Sequence, residues 1–290
     1  MTFPWRNRTV CLVVFFIFGI SAINAQVTPP PQPSYGNNSS AGNYVRLNGI
    51  RMYYETYGKG TPMVLIHDNG GDIRAMQKQI QSFSTHHSVI VADSRGHGKS
   101  LNNGTRLTYE LMASDWLVLL DSLHVDSVDV FGWGNGGTIG LLMAEMSPFK
   151  IRRLAVLSAT IDHDSTALTG WFRTWVATTR EFSEKKLAEH DSTQNWPFMI
   201  ELLDLLGNQP QISVDKLRRI TAPTLVMCGD RDIVTNEHTV KIFENIPNAH
   251  LCIIPGSTHM LPWENPDVLN NTIDEFFHAP FTRPDTKEYY

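Results

Sequence analysis

Short apolar segments that alternate with helical segments constrain the fold of this chain more than any other feature. From Tyr44 onward, apolar segments rich in β-branched residues recur between segments of helical periodicity. Such an alternation is typical of β–α–β units around a buried parallel sheet. The sequence therefore predicts an α/β fold with a mostly parallel sheet flanked by helices. The predicted strands are residues 63–67, 89–93, 128–131, 154–158, 224–228 and 251–254, and the predicted helices are residues 111–123, 139–146, 240–246 and 268–277.

Two segments depart from this alternation. Residues 44–47 and 51–57 flank Asn48-Gly49, a dipeptide typical of hairpin turns, and predict an antiparallel hairpin. Residues 160–213 contain six Trp and Phe side chains and helical segments, but no segment typical of a strand. In open α/β sheets ligands bind at the carboxyl ends of the strands, so we interpret this insertion as a helical lid over those ends.

The N-terminal segment has the pattern of an export signal. Arg6 and Arg8 precede an apolar run over residues 10–20, and Ala25 provides a small residue at the cleavage position. These parts predict a secretory signal peptide over residues 1–25 and a secreted or periplasmic protein. An uncleaved membrane anchor is the alternative, although the run is shorter than a membrane span requires.

The rest of the chain is expected to form a linker, one domain and a tail. Residues 26–43 are rich in Pro, Ser and Asn, which is typical of a linker without a core. The α/β domain is expected over residues 44–280, with the lid at about residues 160–213. Residues 281–290 are expected to form a C-terminal tail.

Composition excludes two classes of partner. The chain has a formal net charge of −5 and no long basic run, so it lacks the charge pattern of a nucleic-acid-binding protein. No stretch reaches the roughly 18 consecutive apolar residues of a membrane span, so no stable span is expected after processing.

Cys228 and Cys252 would remain in the mature chain. An oxidising compartment permits their pairing, but both lie in apolar runs and we expect buried, unpaired thiols.

A glycine-rich turn follows the predicted strand at residues 128–131. Residues 132–137, G-W-G-N-G-G, match the dinucleotide-binding pattern G-x-G-x-x-G, and Asp162 follows at the distance of a ribose-binding acid. However, three or more strands precede this turn, whereas such nucleotide-binding units usually open their domain. Trp133 is also bulky for a position beside a pyrophosphate. A nucleotide-binding oxidoreductase is therefore the distant alternative.

Five segments at predicted strand ends resemble, in order, the motifs of the α/β-hydrolases, and the resemblance extends over residues 44–277. The segments are H-D-N-G-G at 67–71, D-S-R-G-H-G-K-S at 93–100, G-W-G-N-G-G at 132–137, G-D-R-D at 229–232 and G-S-T-H at 256–259. They resemble the family's oxyanion loop, its D-x-R-G-x-G-x-S segment, its nucleophile elbow, and the segments of its acid and its histidine. The resemblance implies an α/β-hydrolase fold with a short helical lid and no cofactor.

The resemblance also assigns the candidate site residues. It implies that Asp232 is the acid that orients His259, as in a Ser-His-Asp triad. Asn69 and Asn135 are the implied residues of the oxyanion hole. Gly134 lies at the nucleophile position, where the family has serine.

A glycine at position 134 removes the chemistry of a serine hydrolase and favours the turn. It offers no hydroxyl for His259 to deprotonate, so no acyl-enzyme can form there. Loss of the serine in comparable triads costs on the order of a million-fold in kcat. The elbow residue normally has a positive φ, which glycine adopts freely. We therefore expect impaired ester hydrolysis.

Asp68 stands where the family usually has glycine, and the sequence leaves its role open. Directed to solvent, its side chain would have no role. Directed inward, the carboxylate would oppose a developing oxyanion, or would replace the missing serine as a nucleophile or base.

The remaining histidines and acids have weaker patterns. Asp230 is the neighbouring alternative to Asp232 as the acid. His97 belongs to the turn after the fourth strand, and the pair His86-His87 is expected to cap a surface connection. Residues 162–164, D-H-D, lack the spacing of known zinc motifs, so we expect no metal site.

The lid aromatics either bury the lid against the domain or line a pocket. In a pocket they would favour a small apolar ligand with an acyl chain or an aromatic ring. Together, these patterns predict an exported α/β-hydrolase-fold protein that resembles carboxylic ester hydrolases and is impaired by Gly134. The alternatives are a silent ligand-binding or sensing protein, and a hydrolase in which Asp232 and His259 activate water without a serine.

Overall fold

A computed structural model describes residues 34–289 of the chain, and within these residues eight strands form one sheet. The strand order is β1-β2-β4-β3-β5-β6-β7-β8, and the predicted α/β fold with a mostly parallel sheet is confirmed. The strands are β1 (Gly42–Leu47), β2 (Ile50–Tyr57), β3 (Thr61–Ile66), β4 (His87–Ala92), β5 (Val128–Trp133), β6 (Ile151–Leu157), β7 (Thr224–Gly229) and β8 (Ala249–Ile254). The expected signal peptide at residues 1–25 and the linker as far as residue 33 lie outside the described residues.

The antiparallel part of the sheet is confined to its N-terminal edge. β1 and β2 form the predicted hairpin, and Asn48 (φ 40°) and Gly49 (φ 81°) have the positive φ angles of a type I′ turn. β2 is also antiparallel to β4. From β4 onward, in the order β4-β3-β5-β6-β7-β8, each strand pairs in parallel with the next. The parallel strands therefore present all their carboxyl ends at one edge of the sheet.

Helices cover both faces of the central strands. Met63 and Leu65 pack with the helices at Gln77–Phe83 and Pro266–His278 on one face, whereas Val64 and Ile66 pack with the helices at Tyr109–Ser122 and Asn135–Met146 on the other. Burial on both faces is the reason why these strands are continuously apolar in sequence. The helices are α1 (Gln77–Phe83), α2 (Tyr109–Ser122), α3 (Asn135–Met146), α4 (Gly170–Ala188), α5 (Trp196–Asn208), α6 (Val214–Leu217), α7 (Asn236–Asn245), α8 (Leu261–Glu264) and α9 (Pro266–His278).

The insertion between β6 and β7 is helical. Its main elements are α4 and α5, and the described chain makes no strand there apart from an isolated bridge between Leu168 and Val234. Phe172 of α4 and Leu203 of α5 are buried in a small apolar cluster of their own. None of the helices in residues 34–289 has the length and apolar character needed to cross a membrane.

Residues before β1 pack on the domain earlier than the sequence predicts. Tyr35, within the expected linker, is buried in the apolar cluster with α1 and α9. The backbone N–H groups of Gly36 and Asn38 donate to the buried Glu55 carboxylate at 2.8 and 2.9 Å. The packed domain therefore begins before the expected start at Tyr44, because these residues bury Tyr35 and supply hydrogen-bond donors to the buried Glu55 carboxylate. Cys228 and Cys252 are both unpaired.

Candidate active site

The candidate site lies at the edge where the parallel strands end. Asp68 follows β3, Gly134 follows β5, Ser158 follows β6, Asp232 follows β7 and His259 follows β8. Asp68, Gly134, Ser158 and His259 line one cavity. Asp232 is buried behind His259. Residues separated by almost 200 positions in the chain meet there because the carboxyl ends of parallel strands share an edge.

Asp232 and His259 form the expected pair. His259 Nδ1 lies 2.8 Å from Asp232 Oδ1, which also accepts from the backbone N–H of Val234 at 3.2 Å. The other oxygen of Asp232 accepts from the hydroxyl of Ser158, a contact that no local sequence pattern predicts because the two residues are 74 positions apart. Burial opposes ionisation of Asp232, but the hydrogen bond and charge of His259 outweigh it and hold the pKa of Asp232 below its ordinary value. Asp230 instead accepts from the backbone N–H of Ser257.

The side chain of Asp68 points into the site, which resolves the alternative that the sequence left open. Its Oδ1 accepts from the backbone N–H of Asn135 at 2.7 Å, and its Oδ2 lies 3.0 Å from His259 Nε2. The imidazole of His259 therefore bridges two carboxylates, those of Asp68 and Asp232. An ionised carboxylate accepts hydrogen bonds but cannot donate them. A bridge between two ionised carboxylates therefore requires a proton on both ring nitrogens of His259.

His259 is accordingly held as an imidazolium. Burial lowers its pKa, but the hydrogen bonds and charges of Asp232 and Asp68 outweigh burial and raise the pKa to about 10. Trp133 Nε1 donates to the backbone carbonyl of His259 at 2.9 Å and so fixes the backbone position of that residue. At neutral pH, His259 is therefore a proton donor and not a base.

Gly134 provides the space that the Asp68 carboxylate occupies. It has φ 55° and ψ −118° and directly precedes α3, as expected for a tight strand–helix turn. A Cβ atom built on Gly134 would lie 2.0 Å from Asp68 Oδ1 and 2.3 Å from its Cγ. No residue with a side chain can therefore stand at position 134 while Asp68 keeps this conformation.

Two neutral histidines fix the loop that carries Asp68. His67 Nε2 accepts from the backbone N–H of Ser94 at 3.0 Å, and its Nδ1 lies 2.7 Å from the carbonyl oxygen of Asp68. His97 Nε2 accepts from the backbone N–H of Gly70 at 3.1 Å. Burial lowers the pKa of His67, and burial together with His67 lowers that of His97 to about 4. The sequence predicts only that His97 lies in a turn, because its supporting role depends on the packing of two loops.

The two expected oxyanion-hole residues differ in their contacts. The backbone N–H of Asn135 already donates to Asp68, and the side-chain Oδ1 of Asn135 accepts from the Tyr109 hydroxyl at 2.8 Å. Asn69 Nδ2 donates to the carbonyl of Leu202 in α5, which connects this loop to the lid. Among residues 34–289, the buried Asn135 Nδ2 and Asn69 Oδ1 have no hydrogen-bond partner. These two atoms are available to a polar group of a ligand.

The cavity above the site has a volume of about 330 Å³ and a mostly apolar wall. Of the six lid aromatics, Phe172 and Trp175 line it, whereas Trp171 and Phe182 are exposed elsewhere. The remaining apolar wall comes from Leu168, Met199, Leu202, Leu203, Leu206, Ile233 and Val234. The two carboxylates and one imidazolium at its base carry one net negative charge. This combination suits an uncharged, mostly apolar ligand better than an anion.

The glycine pattern at residues 132–137 is explained by close packing. A Cβ on Gly132 would lie 2.1 Å from the carbonyl oxygen of Gly136, and a Cβ on Gly136 would lie 2.2 Å from that of Ile66. The N-terminus of α3, where a nucleotide fingerprint would hold a pyrophosphate, faces the Asp68 carboxylate. The contacts thus give no support to the nucleotide-binding alternative.

Comparisons with known proteins agree with this architecture. A family model described as "alpha/beta hydrolase fold" matches residues 61–199. The chain is 23% identical over 251 residues to the serine hydrolase BPHL of Mus musculus, covering 80% of this chain and 84% of that protein. Among solved structures, it is similar to MGS-M2, an alpha/beta hydrolase enzyme from a Medee basin deep-sea metagenome library. The TM-score is 0.72 at 17% identity, and the match covers 84% of this chain and 100% of that one.

A second solved structure is that of Est816, described as an N-acyl homoserine lactone degrading enzyme. Its TM-score is 0.67 at 24% identity, and the match covers 81% of this chain and 100% of that one. Both matches extend over more than four fifths of this chain. The chain therefore has the α/β hydrolase fold, and its residues 61–199 match the family model of that description.

Proposed function

We propose that this is an exported α/β-hydrolase-fold protein whose serine-type ester hydrolysis is impaired. In this proposal Gly134 takes the place of the nucleophilic serine, and the carboxylate of Asp68 fills the space of the serine side chain. The observation that carries the proposal is the 2.0 Å distance between Asp68 Oδ1 and a Cβ placed on Gly134. A serine at position 134 and Asp68 in its present conformation exclude one another.

The other parts of a serine cycle are also engaged. The backbone N–H of Asn135, which would stabilise an oxyanion, already donates to Asp68. His259, which would deprotonate a serine, has a pKa raised to about 10 and holds its proton at neutral pH. The proposal therefore predicts little ester hydrolysis through the usual acyl-enzyme route.

A second function, hydrolysis through Asp68 itself, is favoured by the contacts of this carboxylate with both His259 and Asn135. In the first step, Asp68 Oδ2 would attack a carbon of an epoxide, and the carbon–oxygen bond of the ring would break. The imidazolium of His259 would give its Nε2 proton to the departing oxygen. The result is an alkyl ester of Asp68 and a neutral His259.

The second step would release a diol. Neutral His259 would take a proton from a water that attacks Asp68 Cγ, while the N–H of Asn135 stabilises the negative charge on Oδ1. Collapse would break the ester bond, and the departing oxygen would take the remaining proton of the attacking water. The carboxylate and the imidazolium are then restored, so the net reaction adds one water to one epoxide.

The cavity supports an uncharged, apolar substrate class. Phe172 and Trp175 provide aromatic surface, and the unpaired amide of Asn135 provides a donor for one oxygen of the ligand. An anionic product would be repelled by the net negative charge of the site. Export is supported by the basic, apolar and small-residue parts of residues 1–25.

The experiment compares activated esters, lactones and epoxides as substrates for the mature wild type, Asp68→Asn and His259→Ala. The proposal expects very slow ester turnover by the wild type. Substantial ester turnover that disappears in His259→Ala, but persists in Asp68→Asn, would overturn it.

The second function has a separate readout. Turnover of an epoxide in ¹⁸O-labelled water should place ¹⁸O in the Asp68 carboxylate, because water attacks Cγ, and mass spectrometry of the peptide containing residue 68 detects this label. Epoxide turnover without label in that peptide, or undiminished turnover by Asp68→Asn, would exclude Asp68 as the nucleophile.

A further inference from the structure

Three histidines and one aspartate meet at the opposite edge of the sheet from the candidate active site. His86 and His87 lie at the start of β4, and Asp274 and His278 lie one turn apart near the end of α9. One ligand atom from each residue lies within 4.8 Å of all the others. We refer to these four residues as the His/Asp cluster.

The distances within the cluster centre on one carboxylate oxygen. Asp274 Oδ1 lies 2.6 Å from His86 Nε2, 3.4 Å from His278 Nδ1 and 4.0 Å from His87 Nε2. The three imidazole rings have centroid separations of 4.6, 5.3 and 5.4 Å. In a tetrahedral zinc site, bonds of about 2.0–2.2 Å place ligand atoms roughly 3.4 Å apart. Small side-chain rotations would therefore bring all four atoms to a shared ion.

His87 gives an independent indication of a ligand. Its side chain is only 2% exposed, and its Nε2 has no hydrogen-bond partner among residues 34–289 although it faces Asp274. Its Nδ1 lies 3.3 Å from the carbonyl oxygen of Thr61 and donates its proton there. The lone pair is therefore on Nε2 and is directed into the cluster. A buried acceptor without a donor is costly, and a bound cation would remove that cost.

Outer hydrogen bonds of the kind that orient metal ligands are also present. His86 Nδ1 lies 2.7 Å from the hydroxyl of Thr85, which leaves His86 Nε2 directed at the cluster. His87 has the carbonyl of Thr61 in the same role. Metal-binding histidines in proteins usually have such a partner on the second ring nitrogen. His278 Nδ1 now lies 2.9 Å from the backbone oxygen of Asp274, so metal binding would shift its proton to Nε2.

We propose that the His/Asp cluster is a structural binding site for a divalent transition-metal ion of the zinc class. Three imidazole nitrogens and one carboxylate oxygen suit zinc and its neighbours, whereas magnesium and calcium prefer oxygen ligands alone. Four protein ligands complete a tetrahedral shell, so no position remains open for a substrate. The ion would fasten α9 to the start of β4, two elements that lie almost 190 residues apart.

The test uses the mature chain with any affinity tag removed and with metal first stripped by a chelator. Zinc chloride is titrated calorimetrically, and thermal unfolding is followed with and without zinc. We expect about one equivalent of zinc to bind and to raise the unfolding midpoint. The His86→Ala/His278→Ala variant should lose at least about tenfold in zinc affinity, by analogy with losses around known sites. His190→Asn, which changes an exposed histidine in another turn, should bind zinc as the wild type does.

Two results would overturn the site. One is the absence of zinc binding by the wild type; the other is equal zinc affinity and stabilisation in the wild type and the double variant. Cobalt provides a second readout that does not depend on how well the variants fold. A four-coordinate visible spectrum in the wild type is expected, whereas a weak six-coordinate spectrum would contradict a closed tetrahedral shell. An equal stabilisation by magnesium would also exclude a site of the zinc class.

Discussion

At the scale of single residues, positions 68 and 134 are complementary. Gly134 leaves the space above the turn open, and the carboxylate of Asp68 enters that space to contact His259 and the N–H of Asn135. The side chain of a serine at position 134 would overlap the carboxylate of Asp68 in its present conformation. The two residues therefore form one unit, and their effects on stability should not be additive.

A double-mutant cycle tests this coupling. Gly134→Ser should destabilise the wild type for two reasons: the positive φ of 55°, which costs a non-glycine residue about 1–3 kcal/mol, and the overlap with Asp68. In an Asp68→Gly background only the first cost remains. Urea unfolding of the four proteins should give a coupling of at least about 1 kcal/mol. Equal costs of Gly134→Ser in both backgrounds would contradict the overlap.

The ionised His259 predicts a pH dependence of stability. The pKa of His259 is raised to about 10, above the value of about 6.5 in an unfolded chain. Its stabilising contribution is therefore complete below about pH 6.5 and is lost as the pH rises through about 10. The difference in unfolding free energy between wild type and His259→Gln should fall from pH 7 to pH 10, by up to about 1.4 kcal/mol per pH unit. A difference that stays constant over this range would mean that His259 is not held as an imidazolium.

The sequence could predict the pairing of Asp232 with His259 but not the direction of Asp68. The pair depends on strand ends, which the alternation of apolar segments already locates. The direction of Asp68 depends on how His67 and His97 hold its loop, through contacts with Ser94 and Gly70. Those contacts join loops that are distant in the chain, so no local pattern reports them.

At the scale of elements, a buried ion pair connects three segments beneath the site. Arg95, in the loop after β4, contacts Asp115 of α2 through Nε and a second nitrogen at 2.6 and 2.7 Å. The same guanidinium donates to the carbonyl of Asn48 in the β1–β2 turn. Arg95 is two residues before His97, so the ion pair also fixes the loop that supports Asp68. The D-x-R-G-x-G-x-S segment thus has a structural role here.

Asp115→Ala tests this role. Removing one partner leaves the other charge buried and unpaired, and such losses typically cost about 3–5 kcal/mol. Asp121→Ala is the matched control on the same helix, because the Asp121 side chain is 65% exposed and pairs with Lys150 at the surface. It should cost less than about 1 kcal/mol. Similar urea midpoints for the two variants would show that the buried pair is not important for stability.

The elements themselves were largely predictable because burial on both faces leaves continuous apolar runs. The position of the domain edge was not, since residues 34–41 look like linker by composition. Their packing depends on Tyr35 in the core and on the donors that Glu55 requires. The His/Asp cluster was missed for a similar reason, because its two halves are almost 190 residues apart.

At the scale of the whole molecule, the predicted signal peptide would determine the length and charge of the mature chain. Cleavage after Ala25 would remove Arg6 and Arg8 and change the formal net charge from −5 to −7. We expect full-length expression in a bacterial host to yield a periplasmic or secreted product that begins at Gln26. Intact-mass measurement of the fractions checks this, with an Arg6→Glu/Arg8→Glu variant as control. A product that keeps residues 1–25 and remains in the membrane fraction would favour the uncleaved anchor.

The most direct test of the central claim is the ester hydrolysis rate of Gly134→Ser with and without Asp68→Gly. Asp232, His259 and Asn135 are in place for a serine cycle once the carboxylate of Asp68 is removed. We expect Gly134→Ser alone to remain close to the slow wild type, and the double variant to be faster by at least about a hundredfold. This is a small part of the roughly million-fold effect of the nucleophile in comparable triads. A single Gly134→Ser variant that is as active as the double variant would show that Asp68 does not occupy the serine position.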